Sequence, residues 1–303
     1  MNKPRQLLKS SIVAIGSFDG LHIGHRAILK TLVERAKVCG VPSAVISFDP
    51  HPRTVLGQAE TKLLTPVDEK IPAMAALGVD ELIIIRFDEP FSQLPFEVFA
   101  KDYLIGILGS TELVLGEDHG FGRNRSGDIE NLTELGAKLG FSLNIVKPVL
   151  WNNKSIRSNR IREMVILGDL PHAAHMLGRP YSLVGEVIHG RHRGRKLGFP
   201  TVNIRVPDEK LLPPNGVYAA ADGFGLPGLV YIGISPTFEG DLFTVEFFGL
   251  EEPQAKLGEN FMVSLFERFR GEIEFPDAGE LIKQMVIDKA RLEGWVESHN
   301  IVR

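Results

Sequence analysis

The stretch Ile12-Val-Ala-Ile-Gly-Ser-Phe-Asp-Gly-Leu-His-Ile-Gly-His25 decides the fold of the first half of the chain. Its first four residues are apolar and predict a buried strand. The segment from Arg26 to Cys39 carries apolar residues at helical spacing, and Gly40 supplies a stop. The turn between this strand and this helix predicts an anion site, because unpaired N–H groups and the helix dipole both face it.

Two histidines, His22 and His25, stand three residues apart at the end of this turn. Their ring nitrogens add hydrogen-bond donors that can contact phosphate oxygens. The alternative is that they only cap and pack the turn. An H-x-G-H pattern between a strand and a helix favours the binding role.

The composition limits the classes of protein to which the chain can belong. Its 303 residues suggest about two domains, and a net charge of −4 does not favour nucleic-acid binding. The single cysteine, Cys39, excludes an intrachain disulfide framework and fits a reducing cytosol. No signal peptide or transmembrane segment is recognisable. We expect a soluble, cytoplasmic protein with no nucleic-acid or membrane partner, and the sequence leaves its oligomeric state open, a homo-oligomer included.

Strand and helix patterns alternate up to about residue 178. The predicted strands are Ile12–Ile15, Val45–Phe48, Leu82–Ile85, Leu113–Leu115 and Phe141–Val146. The predicted helices are Arg26–Cys39, Pro66–Leu77 with Thr65 as N-cap, Phe96–Leu108, Ile129–Leu139 and Asn159–Leu177. This alternation predicts an α/β, Rossmann-like domain, in which helices cover both faces of a parallel sheet and ligands bind at the carboxyl ends of the strands.

The pattern changes from Tyr181 onward. Six short β-rich runs follow, at Leu183–Ile188, Val202–Val206, Val217–Ala221, Leu229–Ile234, Phe243–Phe248 and Phe261–Phe266. An amphipathic helix from Ala278 to Glu297 ends the chain. Six strands and one helix predict a small β-barrel with a C-terminal helix, and hence two domains at 1–180 and 181–303.

Five ordered segments of the first half resemble one known family. Gly16–His25 resembles the nucleotidyltransferase signature of bacterial bifunctional riboflavin kinase/FAD synthetases. The other matching segments, in order, are Ser47–Pro52, Leu64–Lys70, Gly116–Gly122 and Ser158–Arg162. With the second half included, the resemblance covers nearly the whole chain.

The resemblance implies that the first domain adenylylates FMN. The FMN phosphate would attack the α-phosphorus of ATP and release pyrophosphate, and no general base is required because this nucleophile is already ionised. His22 and His25 would stabilise the charge that develops on phosphorus. Gly16, Phe18 and Gly24 belong to the same nucleotide-binding turn, where the glycines let the backbone approach the phosphates. Asp19 would either fix the turn or assist a metal.

Further binding residues of the first domain follow from the same resemblance. His51 would face the FMN phosphate, and Asp118 would accept hydrogen bonds from a nucleotide or flavin. Ser158, Arg160 and Arg162 would hold phosphates at the start of a helix. The usual Ser-Ser-Thr-x-Ile-Arg pattern is altered here, since Arg157 and Asn159 replace two hydroxyl residues.

The second half resembles the flavokinase domain of the same family. Gly185–Gly190 and Gly194–Asn203 look like its signature, in which Gly190, Arg195, Gly198 and Pro200 belong to a flap over polyphosphate. Thr201 and Asn203 alternate along a strand, share one face, and are oxygen ligands of the kind that suits Mg²⁺. Glu246 matches the catalytic glutamate, which would accept the proton of the ribityl hydroxyl.

Three departures from the family lie in the second half. Phe248 replaces a histidine, Tyr231 replaces an asparagine, and the loop at Lys256–Gly258 is shortened. By resemblance these positions belong to the flavin-side lid.

The sequence thus predicts a bifunctional enzyme that converts riboflavin to FMN in the second domain and FMN to FAD in the first, with ATP as co-substrate and Mg²⁺ as cofactor. Two alternatives stay open at this point. The chain could be a paralogue with one activity, more probably the kinase, or a catalytically silent flavin- or nucleotide-binding regulator.

Overall fold

The computed structural model describes residues 6–57, 61–190, 199–237 and 240–299, with the backbone alone for 234–237 and 240–242. Packing divides the chain into two compact units, residues 1–158 and residues 159–303. We call them the first unit and the second unit. The domain boundary expected at residue 180 stays a prediction of the sequence.

The first unit is built on a five-stranded parallel sheet. Its strands are β1 (Ser11–Ile15), β2 (Ser43–Asp49), β3 (Glu81–Arg86), β4 (Ser110–Gly116) and β5 (Ser142–Val146), in the order β3-β2-β1-β4-β5. Its helices are α1 (Ile23–Cys39), α2 (Pro52–Val55), α3 (Val67–Ala76), α4 (Glu89–Ser92), α5 (Phe96–Phe99) and α6 (Ile129–Leu139). A π-helical segment, Ala100–Ile105, extends α5. A short hairpin of β6 (Leu150–Trp151) and β7 (Lys154–Ser155) follows β5.

The central strand β1 is buried along its whole length, as its apolar sequence predicts for a parallel sheet covered on both faces. Val13 and Ile15 pack into one hydrophobic cluster, and Ile12 and Ala14 pack into a second cluster with the buried side of α1. The prediction of an α/β domain with helices on both faces is therefore confirmed.

The sheet places the end of β1 at its topological switch point. β1 pairs with β2 on one side and with β4 on the other, so the connections leave β1 and β4 in opposite directions. Open α/β sheets bind ligands in the crevice at such a point, beyond the carboxyl ends of the strands.

Two helix predictions are wrong at their ends. Thr65 is not the N-cap of α3, because Pro66 occupies that position and makes no side-chain capping bond. The single helix predicted over Asn159–Leu177 is two helices, α7 (Ser158–Leu167) and α8 (Leu170–Leu177). Gly168 separates them with φ = +76°, a left-handed conformation that ends α7.

The second unit contains a closed six-stranded barrel. Its strands are β8 (Tyr181–Ile188), β9 (Val202–Arg205), β10 (Gly216–Asp222), β11 (Pro227–Thr237), β12 (Gly240–Gly249) and β13 (Asn260–Arg270), in the order β10-β11-β12-β9-β8-β13. A long helix, α9 (Ala278–His299), ends the described chain. The predicted barrel and C-terminal helix are confirmed.

The two faces of the barrel strands have different roles. Tyr218 and Phe247 are fully buried and fill the barrel. On the opposite face Val217, Leu229 and Leu292 pack together, which places α9 against the outside of the barrel. Glu246 alternates with Phe247 along β12 and therefore lies on this outer face.

Candidate active sites

Polar contacts from other parts of the first unit support the backbone of the loop between β1 and α1. Phe18 and Leu21 adopt positive φ angles of 47° and 42°, and Gly20 has φ = 90°. The Asp19 carboxylate is buried and accepts the backbone N–H of Thr65 at 2.9 Å. These contacts support the turn-fixing role for Asp19. We call Gly16–His25 the phosphate loop, for the ligand that its sequence predicts.

The glycines of the phosphate loop stand where a side chain would crowd an aromatic ring. A Cβ at Gly16 would lie 3.2 Å from the ring of Phe18, and a Cβ at Gly24 would lie 3.2 Å from the ring of His22. Phe18 itself is 2% exposed and packs in the core beneath the loop. Its side chain therefore supports the loop from below.

The two histidines of the phosphate loop form one unit. Their rings stack with a centroid separation of 3.6 Å. His22 is the N-cap of α1, and its Nδ1 accepts the backbone N–H of His25 at 3.2 Å. Because Nδ1 acts as an acceptor in this contact, the neutral form of the His22 imidazole carries its proton on Nε2.

His25 is held neutral by its surroundings. Burial lowers its pKa well below the usual value, and the neighbouring His22 and Lys70 lower it further. The Phe18 ring packs edge-on against it at 5.2 Å. At neutral pH this imidazole therefore keeps one donor and one acceptor nitrogen.

Several buried polar atoms of the first unit have no hydrogen-bond partner among the described residues. They are His25 Nδ1, Arg26 Nε, Thr65 Oγ1 and His119 Nε2. Buried polar atoms are nearly always hydrogen-bonded, so this group indicates atoms that a ligand satisfies. His119 follows β4, the strand beside β1, and burial lowers its pKa to about 4.

Lys70 ends the matching segment Leu64–Lys70, but the sequence pattern assigned it no role of its own. It is 3% exposed, and its Nζ donates to the Ser17 carbonyl at 2.8 Å and to Ser47 Oγ at 3.2 Å. One signal could have found it: Lys70 and Met74 lie one helical turn apart on the buried face of α3. A lysine on an apolar helix face is a candidate functional charge.

The other predicted residues of the first unit are placed differently. His51 is the N-cap of the short helix α2, where its Nδ1 accepts the Arg53 N–H at 3.2 Å. Asp118 is exposed, and its carboxylate pairs with the guanidinium of Arg157. Asp118, which the sequence predicts to accept hydrogen bonds from a nucleotide or flavin, is thus paired with Arg157, the residue that departs from the family pattern.

The start of α7 carries the last predicted phosphate ligands. Ser158 Oγ donates to the carbonyl of Asp19 at 2.8 Å, which ties the first residue of α7 to the phosphate loop within the first unit. Arg160 and Arg162 follow on the first turns of α7, where Arg162 Nη1 donates to Asn159 Oδ1 at 2.8 Å.

The second unit contains a cavity of about 250 Å³ beside β8 and β9. Gly190, Pro200, Thr201 and Asn203 line it, and the loop 252–257 forms another wall. The cavity therefore brings together four of the predicted residues. Arg195 and Gly198, predicted for the same flap, lie outside the described residues.

Glu246 stands beside this cavity. It lies opposite Asn203 in the register of β12 and β9, so the two side chains share one face. Thr201 Oγ1 donates to Glu246 Oε2 at 3.2 Å. Thr244 Oγ1 lies 3.5 Å both from Glu246 Oε1 and from Asn203 Oδ1. Residues from two separate stretches of sequence, 201–203 and 244–246, thus form one oxygen-rich cluster.

Gly190 closes one side of this cluster. A Cβ at this position would lie 2.1 Å from Asn203 Nδ2, so the backbone approaches the Asn203 amide as only glycine allows. The close approach explains why glycine stands at this position.

Two of the departures from the family flank Glu246. Tyr231 lies opposite Glu246 in the register of β11 and β12, and its hydroxyl donates to Glu272 Oε1 at 2.8 Å. Burial and this carboxylate raise the pKa of Tyr231, so the phenol stays protonated. Phe248 packs against Phe199 with a centroid separation of 5.3 Å.

Two family models match the chain, one in each half. FAD synthetase matches residues 5–160, and riboflavin kinase matches residues 177–296. The two matches together cover most of the chain.

Whole-length relatives match as well. A protein of Listeria monocytogenes is 36% identical over 92% of this chain and 90% of its own length. A protein of Bacillus subtilis is 35% identical over 94% of each chain. Both relatives are described as bifunctional riboflavin kinase/FMN adenylyltransferases.

A solved structure from Streptococcus pneumoniae shares the fold. It superposes with a TM-score of 0.82 and 27% identity over 97% of this chain and 96% of its own, and it is described as a macrolide-efflux protein. Across the parts of this chain that the structure describes, none of the helices is both long enough and apolar enough to cross a membrane.

Proposed function

The chain belongs to the family of bifunctional riboflavin kinase/FMN adenylyltransferases, and from this membership we propose that it phosphorylates riboflavin in the second unit and adenylylates FMN in the first. One observation carries the proposal. Glu246 hydrogen-bonds Thr201, and Thr201 and Asn203 line a cavity next to it. A proton acceptor beside a polyphosphate-sized cavity is what a kinase needs and a simple binder does not.

In the kinase step the ribityl hydroxyl of riboflavin attacks the γ-phosphorus of ATP. A new O–P bond forms to the flavin, the bond between the γ-phosphorus and its bridging oxygen breaks, and ADP leaves with that electron pair. Glu246 orients the hydroxyl and takes its proton. Thr201 holds one carboxylate oxygen, so the acceptor is already fixed before the substrate arrives.

The residues around Glu246 also fit a magnesium ion. Thr201 Oγ1 and Asn203 Oδ1 are hard oxygen donors, and Mg²⁺ commonly takes one or two protein ligands together with nucleotide phosphates. When bound, the ion would neutralise charge on the ATP phosphates. Thr201 and Asn203 would hold it.

In the adenylyl transfer step the FMN phosphate attacks the α-phosphorus of ATP, and pyrophosphate leaves. His22 and His25 donate hydrogen bonds to the phosphate oxygens as charge develops on phosphorus. The α1 N-terminus and the glycines of the phosphate loop add backbone donors and close approach. The unpartnered Nδ1 of His25 supports a ligand at this point.

Other residues of the first unit take supporting roles in this proposal. Ser158, the last residue of the first unit, binds a phosphate through its hydroxyl. His51 faces the FMN phosphate, and its capping bond to Arg53 holds the ring at the end of β2.

A second candidate function is riboflavin phosphorylation alone. The ion pair between Arg157 and Asp118 favours it, because a guanidinium stands where the family has a small hydroxyl and already occupies the carboxylate. Riboflavin, ATP and Mg²⁺ incubated with the purified protein, followed by chromatographic separation of flavins, separate the two functions. FMN and FAD together support the full proposal, FMN alone supports the second candidate, and neither product contradicts both.

A further inference from the structure

We propose that Lys70 is a positioning residue for adenylyl transfer, because its ammonium ties the loop that carries His22 and His25 to the neighbouring strand β2. The inference rests on the proposed adenylyltransferase activity of the first unit. It adds a residue that acts through the histidines and does not itself touch the substrate.

The geometry of Lys70 joins three elements of the first unit. The side chain rises from α3, and its Nζ donates to the carbonyl of Ser17 in the phosphate loop and to Ser47 Oγ at the end of β2. Ser47 Oγ itself lies 3.3 Å from the same Ser17 carbonyl. The three groups form a closed triangle directly beneath the turn that leads to His22.

The burial of this ammonium is costly. A charged amine removed from water is stabilising only where other groups compensate, and an apolar side chain of the same size would often serve stability better. The carboxylates of Asp19 in the loop and Asp49 at the end of β2 supply part of the compensation, while burial lowers the pKa of Lys70. A charge kept at such cost beside a reaction site indicates a functional role.

His25 is the group on which this charge acts. Burial is the largest cause of its lowered pKa, and His22 at the start of α1 and Lys70 from α3 lower it further. Asp19 in the loop and Asp49 of β2 act in turn on Lys70. The ammonium disfavours a second positive charge and thereby lowers the pKa of His25.

A neutral His25 suits adenylyl transfer. An imidazolium would bind the ATP phosphates and the pyrophosphate product strongly in the ground state, which does not lower the barrier. A neutral donor gains strength as negative charge develops on the oxygens of phosphorus. Burial does most to keep His25 neutral, and Lys70 adds to this effect while its bond to Ser17 holds the loop that carries His25.

The test replaces Lys70 with methionine, which keeps the length of the side chain and removes its charge. Lys30→Met is the matched control, because Lys30 lies on α1 with its side chain 77% exposed. The pKa of His25 is measured by nitrogen-15 NMR titration, with His25→Ala used to assign its signals. FAD synthesis from FMN is measured against pH, and riboflavin phosphorylation reports on the second unit.

The expected result is specific to Lys70. In Lys70→Met the titration midpoint of His25 rises, as removal of a nearby like charge requires. Since the active His25 is neutral, the acid side of the FAD-synthesis profile moves to higher pH, and kcat falls about tenfold or more. Riboflavin phosphorylation stays at the parent rate, and Lys30→Met matches the parent throughout.

Ser47→Ala distinguishes the effect of the hydrogen bonds of Lys70 from the effect of its positive charge. It removes one of the two acceptors of Lys70 and keeps the ammonium, so we expect the His25 midpoint of the parent with a kcat for FAD synthesis that is a few-fold lower. If Lys70→Met does not fold, this variant decides the inference, and a kcat equal to that of the parent overturns it.

Two results with folded Lys70→Met overturn the inference: a His25 midpoint equal to that of the parent, or FAD synthesis within about twofold of the parent across the pH range. A parent protein that makes no FAD contradicts the proposed function instead. In that protein the His25 titration alone supports or overturns the role of Lys70.

Discussion

The two candidate sites are built by different structural means. The first unit uses a loop at the end of a buried parallel strand, where α1 begins and two imidazoles stack on each other. The second unit uses side chains on the outer face of a barrel, brought together by strand register. The first chemistry needs donors and no base, and the second needs a carboxylate that takes a proton. Each scaffold supplies the group that its reaction requires.

The difference also concerns what holds each site in place. Glu246 sits on a strand paired on both sides, with Thr244 on the same strand and Thr201 immediately before β9. The phosphate loop depends on contacts from outside itself, to Thr65, Lys70 and Ser158. We therefore expect the loop site to be sensitive to changes in residues that never touch the substrate.

The largest expected effect tests the carboxylate of the barrel site. Glu246→Gln keeps the shape of the side chain and removes its ability to accept a proton. We expect riboflavin phosphorylation to fall about 10²–10⁴-fold, with the KM for ATP nearly unchanged. Steady-state assays of FMN formation measure it.

The matched control for this variant is Glu293→Gln, since Glu293 lies on α9 with its side chain 54% exposed. FAD synthesis from supplied FMN should equal that of the parent in both variants. If the rate of riboflavin phosphorylation by Glu246→Gln is within a few-fold of the parent rate, Glu246 is not the proton acceptor of the reaction.

The next effect tests the loop site. His25→Ala removes a donor aimed at the phosphates, and we expect FAD synthesis from FMN to fall about 10²–10³-fold, in line with the loss of one preorganised donor. Riboflavin phosphorylation by the same protein is the internal control and should not change. Equal losses in both activities would mean that the variant disturbs the whole chain and not one site.

The smallest effect concerns the altered start of α7. The double change Arg157→Ser with Asn159→Thr restores the two hydroxyls of the family and frees Asp118 from its ion pair. Exposed ion pairs contribute about 0–1 kcal/mol, so the release of Asp118 costs little stability. We expect FAD synthesis to rise a few-fold from the rate of the parent.

Arg157→Ser alone provides the comparison for this double variant, because it frees Asp118 without the second hydroxyl. Flavin chromatography measures both proteins under identical conditions. A drop in FAD synthesis would show that the guanidinium of Arg157 itself binds phosphate in this chain.

The sequence predicts most of the phosphate loop, but it predicts fewer of the contacts that hold this loop in place. A strand, a turn and a helix that follow one another carry their signals locally, which is why β1, α1, His22 and His25 could be read directly. The contacts of Lys70 and the pairing of Asp118 with Arg157 depend on where distant segments meet. The spacing of residues within one segment does not show which distant segments come into contact.

The barrel site shows the same limit in another form. Simple alternation predicts that Thr201 and Asn203 share a face. In the structure Asn203 lies opposite Glu246 in β9, and Thr201, just before β9, hydrogen-bonds Glu246. The bond from Tyr231 to Glu272 joins a strand to the segment after another strand, so the substitution at Tyr231 could be noticed in the sequence but not explained. The break at Gly168 was missed because one glycine in a helical pattern does not by itself end a helix.

The central claim is that one chain carries two independent sites that act in succession. The most direct test mixes two purified variants, Glu246→Gln and His25→Ala, with riboflavin, ATP and Mg²⁺. We predict that the first variant alone forms almost no FMN, that the second alone accumulates FMN, and that the mixture forms FAD, because free FMN passes from one protein to the other. A mixture that makes no more FAD than the separate variants, while each retains its single activity, would contradict the claim.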